Sequence, residues 1–160
     1  MVTKTPLVDK YFASRIPDME ENTDYIIIFG GTNDFGHGDS EFGCMSDRDE
    51  NTFYGALHSL YTKISTKYPM YQIIVITPTH RLVEEIKDCM GKNRKLIDYV
   101  NAIIEVAAYY GIPVLDLYRT GGMCPHIPKL MQIYMPDGLH PSDEGNKIIY
   151  NRLKSMILKL

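Results

Sequence analysis

Three short, almost uninterrupted apolar runs constrain this chain more than any other feature. They are Tyr25–Phe29, Tyr71–Thr77 and Ile112–Leu117; the first stops at Gly30-Gly31 and the second at Pro78. A strand with one wet face alternates polar and apolar residues. An unbroken apolar run is what a strand covered on both faces of a parallel sheet needs. The stretches between the runs have helical periodicity. Asp49–Lys67 puts Phe53, Leu57, Leu60, Tyr61 and Ile64 on one face, and Asn93–Tyr110 does the same with Leu96, Val100, Ile103, Ile104 and Ala107. Gly111 stands where that second helix should stop. Ser142–Leu160 reads as a closing helix, with Ser142 as N-cap and Asp143 and Glu144 in its first turn. Val8–Met19 reads as a further short helix. The alternation predicts an α/β fold on a parallel sheet, as a single domain over residues 1–160.

Composition narrows the function classes. The net charge is −3 and the basic residues are scattered, so the chain lacks the concentrated basic patch of a nucleic-acid binder. No apolar run is long enough to span a bilayer, and the N-terminus shows no signal-peptide core. Cys44, Cys89 and Cys124 are odd in number and form no C-x-x-C pair, which fits a reduced, cytoplasmic setting.

In sheets of this kind ligands bind beyond the carboxyl ends of the strands. The loops expected there, Gly30–Asp49, Pro78–Asn93 and Tyr118–His140, carry the polar and glycine-rich chemistry. The opposite connections, Tyr68–Tyr71 and Gly111, are short. Two stretches stand out: Gly30-Gly-Thr-Asn-Asp34 and Asp137-Gly-Leu-His140-Pro141. A carboxylate three residues before an imidazole can accept its Nδ1 proton, fix the tautomer and leave Nε2 free to take a proton. That is the chemistry of acyl transfer. The Gly30 loop lacks the spacing of a phosphate cradle, and Asp34 would repel phosphate. His37, Asp39 and Asp34 crowd one loop but read as a flexible polar segment rather than a metal site. Arg81, on the second rim loop, reads either as a solvated loop residue or as a fork of donors for an anionic or carbonyl group. His126 reads as plain loop and His58 as part of a solvated helix face.

The two motifs, in this order and each in this context, resemble the SGNH, or GDSL-like, hydrolases: esterases and lipases with a flavodoxin-like three-layer α/β/α fold. Their Gly-x-Asn-Asp block matches Gly31-Thr-Asn33-Asp34 and their Asp-x-x-His block matches Asp137-Gly-Leu-His140. The resemblance implies an oxyanion-hole amide at Asn33, a general base at His140 and its orienting carboxylate at Asp137. Gly31, Asp34, His37 and Arg81 are expected near substrate, with Asp34 also shaping the turn. The resemblance implies a carboxylic ester substrate, a small or carbohydrate acyl ester being favoured, and no metal or organic cofactor.

The chain departs from that family at one place. The family's nucleophilic serine lies in a Gly-Asp-Ser block at the end of a first strand, and only 30 residues precede Gly31 here. Ser14 lies in an expected helix, and Gly38-Asp39-Ser40 follows the Asn33 loop rather than preceding it. No residue of this chain is therefore expected to be the nucleophile. The domain is expected to be N-terminally incomplete, to lack the first strand or strands, and to be inactive alone. The alternative is a non-catalytic binding or subunit-like module derived from such a hydrolase. The lost strand would leave the edge of Tyr25–Phe29 open, and a homo-oligomer through that edge is expected as one way to cover it.

Overall fold

The computed structural model describes residues 1–4, 11–38, 40–85 and 94–160. Its sheet is parallel and three-stranded, in the order β1-β2-β3, with β1 at Tyr25–Phe29, β2 at Gln72–Ile76 and β3 at Val114–Leu115. Tyr25 pairs with Gln72 and Phe29 with Ile76; Val75 and Ile76 pair with Val114 and Leu115.

The strands lie where the apolar runs placed them, with two corrections. β3 keeps only two residues, because Asp116 caps a short helix over Leu117–Thr120. In chain order the helices are α1 (Thr32–His37), α2 (Phe53–Lys67), α3 (Leu96–Tyr109), α4 (Leu117–Thr120), α5 (Pro128–Tyr134) and α6 (Asp143–Ile157). The Asp116 side chain accepts the Arg119 N–H and draws Leu117 out of the strand into α4. The second correction concerns β1, which is not covered on both faces. Ile26 and Ile28 are buried while Tyr25, Ile27 and Phe29 are each about 40% exposed or more. Only β2, flanked on both sides, has the continuous burial its sequence suggested.

One face of the sheet carries most of the core. Ile26, Ile28, Ile73 and Val75 pack against α2, α3 and a 3-10 segment, Phe12–Asp18. That segment replaces the helix expected over Val8–Met19, whose first residues lie outside the described ones. Pro17 sits inside it, and a proline can neither donate an N–H nor leave its predecessor at ease in an α-helix. Phe53 and Tyr99 meet with ring centroids 4.8 Å apart and join α2 to α3. Ile74 and Ile76 are buried on the opposite face by the alternation of the strand. There α6 meets β3 and α5.

The helix ends follow ordinary capping chemistry. The Thr52 side chain accepts the Gly55 N–H at the start of α2, and Ser142 accepts the Gly145 N–H at 3.2 Å at the start of α6, as expected. Gly111, at φ +66, ends α3. The helices α1 and α5 arise within stretches expected to be loops. Both are short, and α5 starts with Pro128 in its first turn. His58 is corrected from a solvated to a buried position. Its ring nitrogens face the Tyr110 hydroxyl and the Met45 carbonyl, each at 3.0 Å. Burial, then the nearby Arg48 charge, push this imidazole below its usual range. Among the described residues no helix is long and apolar enough to cross a membrane.

Candidate active site

The site is built where β1 and β2 end. Gly30 and Gly31 turn the chain out of β1 and into α1. Gly31 is left-handed at φ +104, and a Cβ on it would lie 2.8 Å from Ile103 Cδ1. Glycine is needed there on both counts. The tight corner places Asn33 at the start of α1 with an exposed side chain.

Asp137–His140 forms the second wall. Asp137 Oδ1 accepts the backbone N–H groups of Leu139 at 2.9 Å and His140 at 2.7 Å. Its other oxygen, Oδ2, lies 2.7 Å from His140 Nδ1. An ionised carboxylate can only accept, so Nδ1 carries a proton, and in the neutral ring Nε2 is the nitrogen with the free lone pair. The hydrogen bonds from the His140 side chain and from the two backbone amides hold the Asp137 carboxyl well below the usual carboxylate range. Gly138 turns at φ +74, and a Cβ on it would meet Leu82 Cβ at 2.7 Å. After Pro141 the Ser142 cap starts α6 and fixes the turn to the helix.

These two walls enclose one cavity of about 240 Å³. Phe29, Gly30, Thr32 and Asn33 line it on one side, Pro78 and Thr79 from the end of β2, and Leu139, His140 and Pro141 on the other. Asn33 and His140 thus face a common hollow. The described residues that line it include no serine or cysteine.

The other residues expected near substrate are placed differently. Asp34 is fully buried and points away from the cavity. Its Oδ1 accepts the Thr3 N–H at 2.8 Å and the Thr3 hydroxyl at 2.5 Å, and its Oδ2 accepts the Val2 N–H at 3.1 Å. It shapes structure, as expected, but by tying down residues 2 and 3 rather than its own turn. Gly31 is buried as the corner, and Gly30 supplies the cavity wall. His37 is exposed at the end of α1, off the wall. Arg81 also lies off the wall. Its Nη1 donates to the Thr32 carbonyl at 3.2 Å and its guanidinium lies 5.3 Å from the Phe35 ring centroid. Ser40 is buried away from the wall, and Asp39 lies outside the described residues. His126, expected as plain loop, bonds the buried Glu84 at 2.9 Å. The wall residues that sequence reading passed over, Phe29, Thr32, Thr79 and Leu139, all neighbour a motif or a strand end. That adjacency was the available signal.

Comparison with known proteins agrees with this fold. The GDSL-like lipase/acylhydrolase family matches residues 3–148. A crystal structure of a protein from Lactobacillus plantarum is 35% identical, with a TM-score of 0.86 over 93% of this chain and 73% of that one. A GDSL-like lipase from Bacteroides thetaiotaomicron is 20% identical, with a TM-score of 0.66 over 92% and 69% of the two chains. A carbohydrate esterase family 3 protein from Talaromyces cellulolyticus is 18% identical, with a TM-score of 0.58 over 90% and 62%. These last two show the shared fold. A comparison with curated proteins finds no match. The chain belongs to the GDSL-like lipase/acylhydrolase family, a family of ester-bond hydrolases.

Proposed function

We propose that this domain provides the acid–base and oxyanion half of a serine esterase acting on small or carbohydrate acyl esters. The observation that carries the reading is the common cavity faced by Asn33 and His140, with Asp137 holding Nδ1. A serine hydroxyl delivered to the cavity mouth by a segment outside this sequence attacks the ester carbonyl, and His140 Nε2 takes its proton. The Asn33 amide donates to the oxyanion as the tetrahedral intermediate forms. His140 then returns the proton to the departing alcohol, and an acyl-serine remains. Water enters, gives its proton to Nε2, and releases the acid while the serine recovers its proton. The modest cavity favours a short acyl group over a long one.

The lack of a serine or cysteine among the described residues that line the cavity favours, as a second reading, a module that keeps the cleft and not the chemistry. Hydrolysis of p-nitrophenyl acetate separates the two. The 160-residue chain stays near background on the first reading. The chain lengthened upstream by residues its gene encodes is active, loses that activity in His140→Ala, and falls by about 10²–10³ in Asn33→Ala. Activity indifferent to His140→Ala refutes the proposal. Hydrolysis by the 160-residue chain that disappears in Ser40→Ala refutes the assignment of the nucleophile. A second copy pairing along the outer edge of β1, and a cytoplasmic location in keeping with the unpaired Cys44 and Cys124, belong to the same proposal.

A further inference from the structure

Glu84 is a buried carboxylate that the mechanism above does not use. It is 4% exposed, on the segment that follows β2. Its partners converge from two parts of the chain. His80 Nδ1 lies 2.8 Å from Oε1 and 3.1 Å from Oε2, and the Arg81 N–H donates to Oε2 at 3.0 Å. His126 Nε2 reaches Oε1 at 2.9 Å from the loop before α5. A carboxylate so buried is tolerable only because these donors replace its water. Both imidazoles therefore present N–H groups to it. The His80 ring is held in turn against Tyr118, with centroids 4.0 Å apart.

The segment closed by Glu84 touches both walls of the cavity. Pro78 and Thr79, just before it, line the cavity itself. Arg81 Nη1 donates to the carbonyl of Thr32, the neighbour of Asn33. The Leu82 N–H donates to the Gly138 carbonyl at 2.7 Å, inside the turn that orients His140. The Leu82 side chain also fills the space that a Cβ on Gly138 would need. Residues 80–84 lie in no helix and no strand, so no backbone ladder sets their shape. The Glu84 carboxylate supplies that constraint.

We propose that Glu84 is a positioning residue that sets the spacing between the Asn33 and His140 walls through the Arg81–Thr32 and Leu82–Gly138 bonds. The inference rests on the reading of those walls as the two sides of an esterase site. Its test does not need activity. Glu84→Gln keeps the shape but turns one acceptor into a donor facing other donors.

Amide exchange at Leu82 is expected to rise by about tenfold or more in Glu84→Gln, while Val100, Ile103 and Val106 in α3 stay within about twofold of the parent. Long-range proton–nitrogen correlation of the His140 ring, recorded well above the usual imidazole range, reports its tautomer. The Nε2–H form is expected to rise at least about twofold as the turn loosens. Should Glu84→Gln fail to fold, His126→Ala removes one partner whose side chain is 42% exposed, and a smaller change of the same sign is expected at the same probes. Leu82 exchange and His140 tautomer unchanged from the parent overturn the proposal. So does a rise of the α3 amides in step with Leu82, which assigns Glu84 to general stability. Coupling seen by these probes in a chain whose extended form is indifferent to His140→Ala sinks the esterase reading and leaves the positioning role. Absent coupling beside a His140-dependent activity does the reverse.

Discussion

Replacing Asp34 with alanine tests how much of this fold hangs on one buried carboxylate. The side chain is fully buried, and its two oxygens accept from the Val2 N–H, the Thr3 N–H and the Thr3 hydroxyl. Each hydrogen bond to a charged acceptor contributes about 1.5–3 kcal/mol net, and removing the acceptor strands its donors out of reach of water. The three bonds share one charge and do not add, so the loss is roughly 3–5 kcal/mol. For a chain of this size that lowers Tm by about 10 °C. Asp34→Asn keeps the volume and one oxygen, and costs roughly 2 kcal/mol, because its amide faces a donor. Urea unfolding followed by circular dichroism measures both. The order Ala worse than Asn, with the m-value unchanged, is expected. A loss below about 1 kcal/mol in Asp34→Ala, the range of an exposed pair, refutes the reasoning.

Tyr61 and Glu50 give two further tests. The Tyr61 hydroxyl is buried without a hydrogen-bond partner among the described residues, so Tyr61→Phe is expected to stabilise by up to about 1 kcal/mol in the same unfolding assay; a loss of similar size would show an acceptor for that hydroxyl. Burial pushes the Glu50 carboxyl up, but hydrogen bonds from Lys63, Ser59 and Tyr11 outweigh it and hold the group down at about 2. Its folded value is depressed, so its stabilisation is full above the ordinary value of 4.5 and is lost as pH falls toward about 2. Glu50→Gln therefore lowers stability at pH 7 and flattens the acid limb between those values. Because its charged partner Lys63 is about half exposed and screened by solvent, the difference is expected to stay within about 1 kcal/mol, and equal acid slopes in the two proteins would contradict it.

Much of the fold was legible because burial is written in periodicity. β2 and the inward faces of α2 and α3 follow from apolar spacing alone, and the Ser142 cap from one hydroxyl before an acidic first turn. β1 was misread because an all-apolar strand looks the same whether or not its second face is covered. α1 and α5 are too short for a periodic signal, and α1 is set by the left-handed Gly31 rather than by apolar spacing. In the candidate site, Asn33, Asp137 and His140 carry side-chain chemistry that a local motif displays. Glu84 was invisible for the opposite reason. Its meaning lies in His126, 42 residues away in sequence, and nothing near residue 84 points there. The partners of Asp34 lie more than 30 residues upstream, so they too leave no local signal.

The half-open first strand has a consequence for anything that meets it. Tyr25, Ile27 and Phe29 repeat along β1 at roughly 7 Å, so the exposed side chains stand on one phase only. An arriving strand shifted by a single residue would turn its own side chains the wrong way up. A strand that paired along this border would be chosen by rhythm as well as by stickiness, and a lone lysine in place of Ile27 would spoil both.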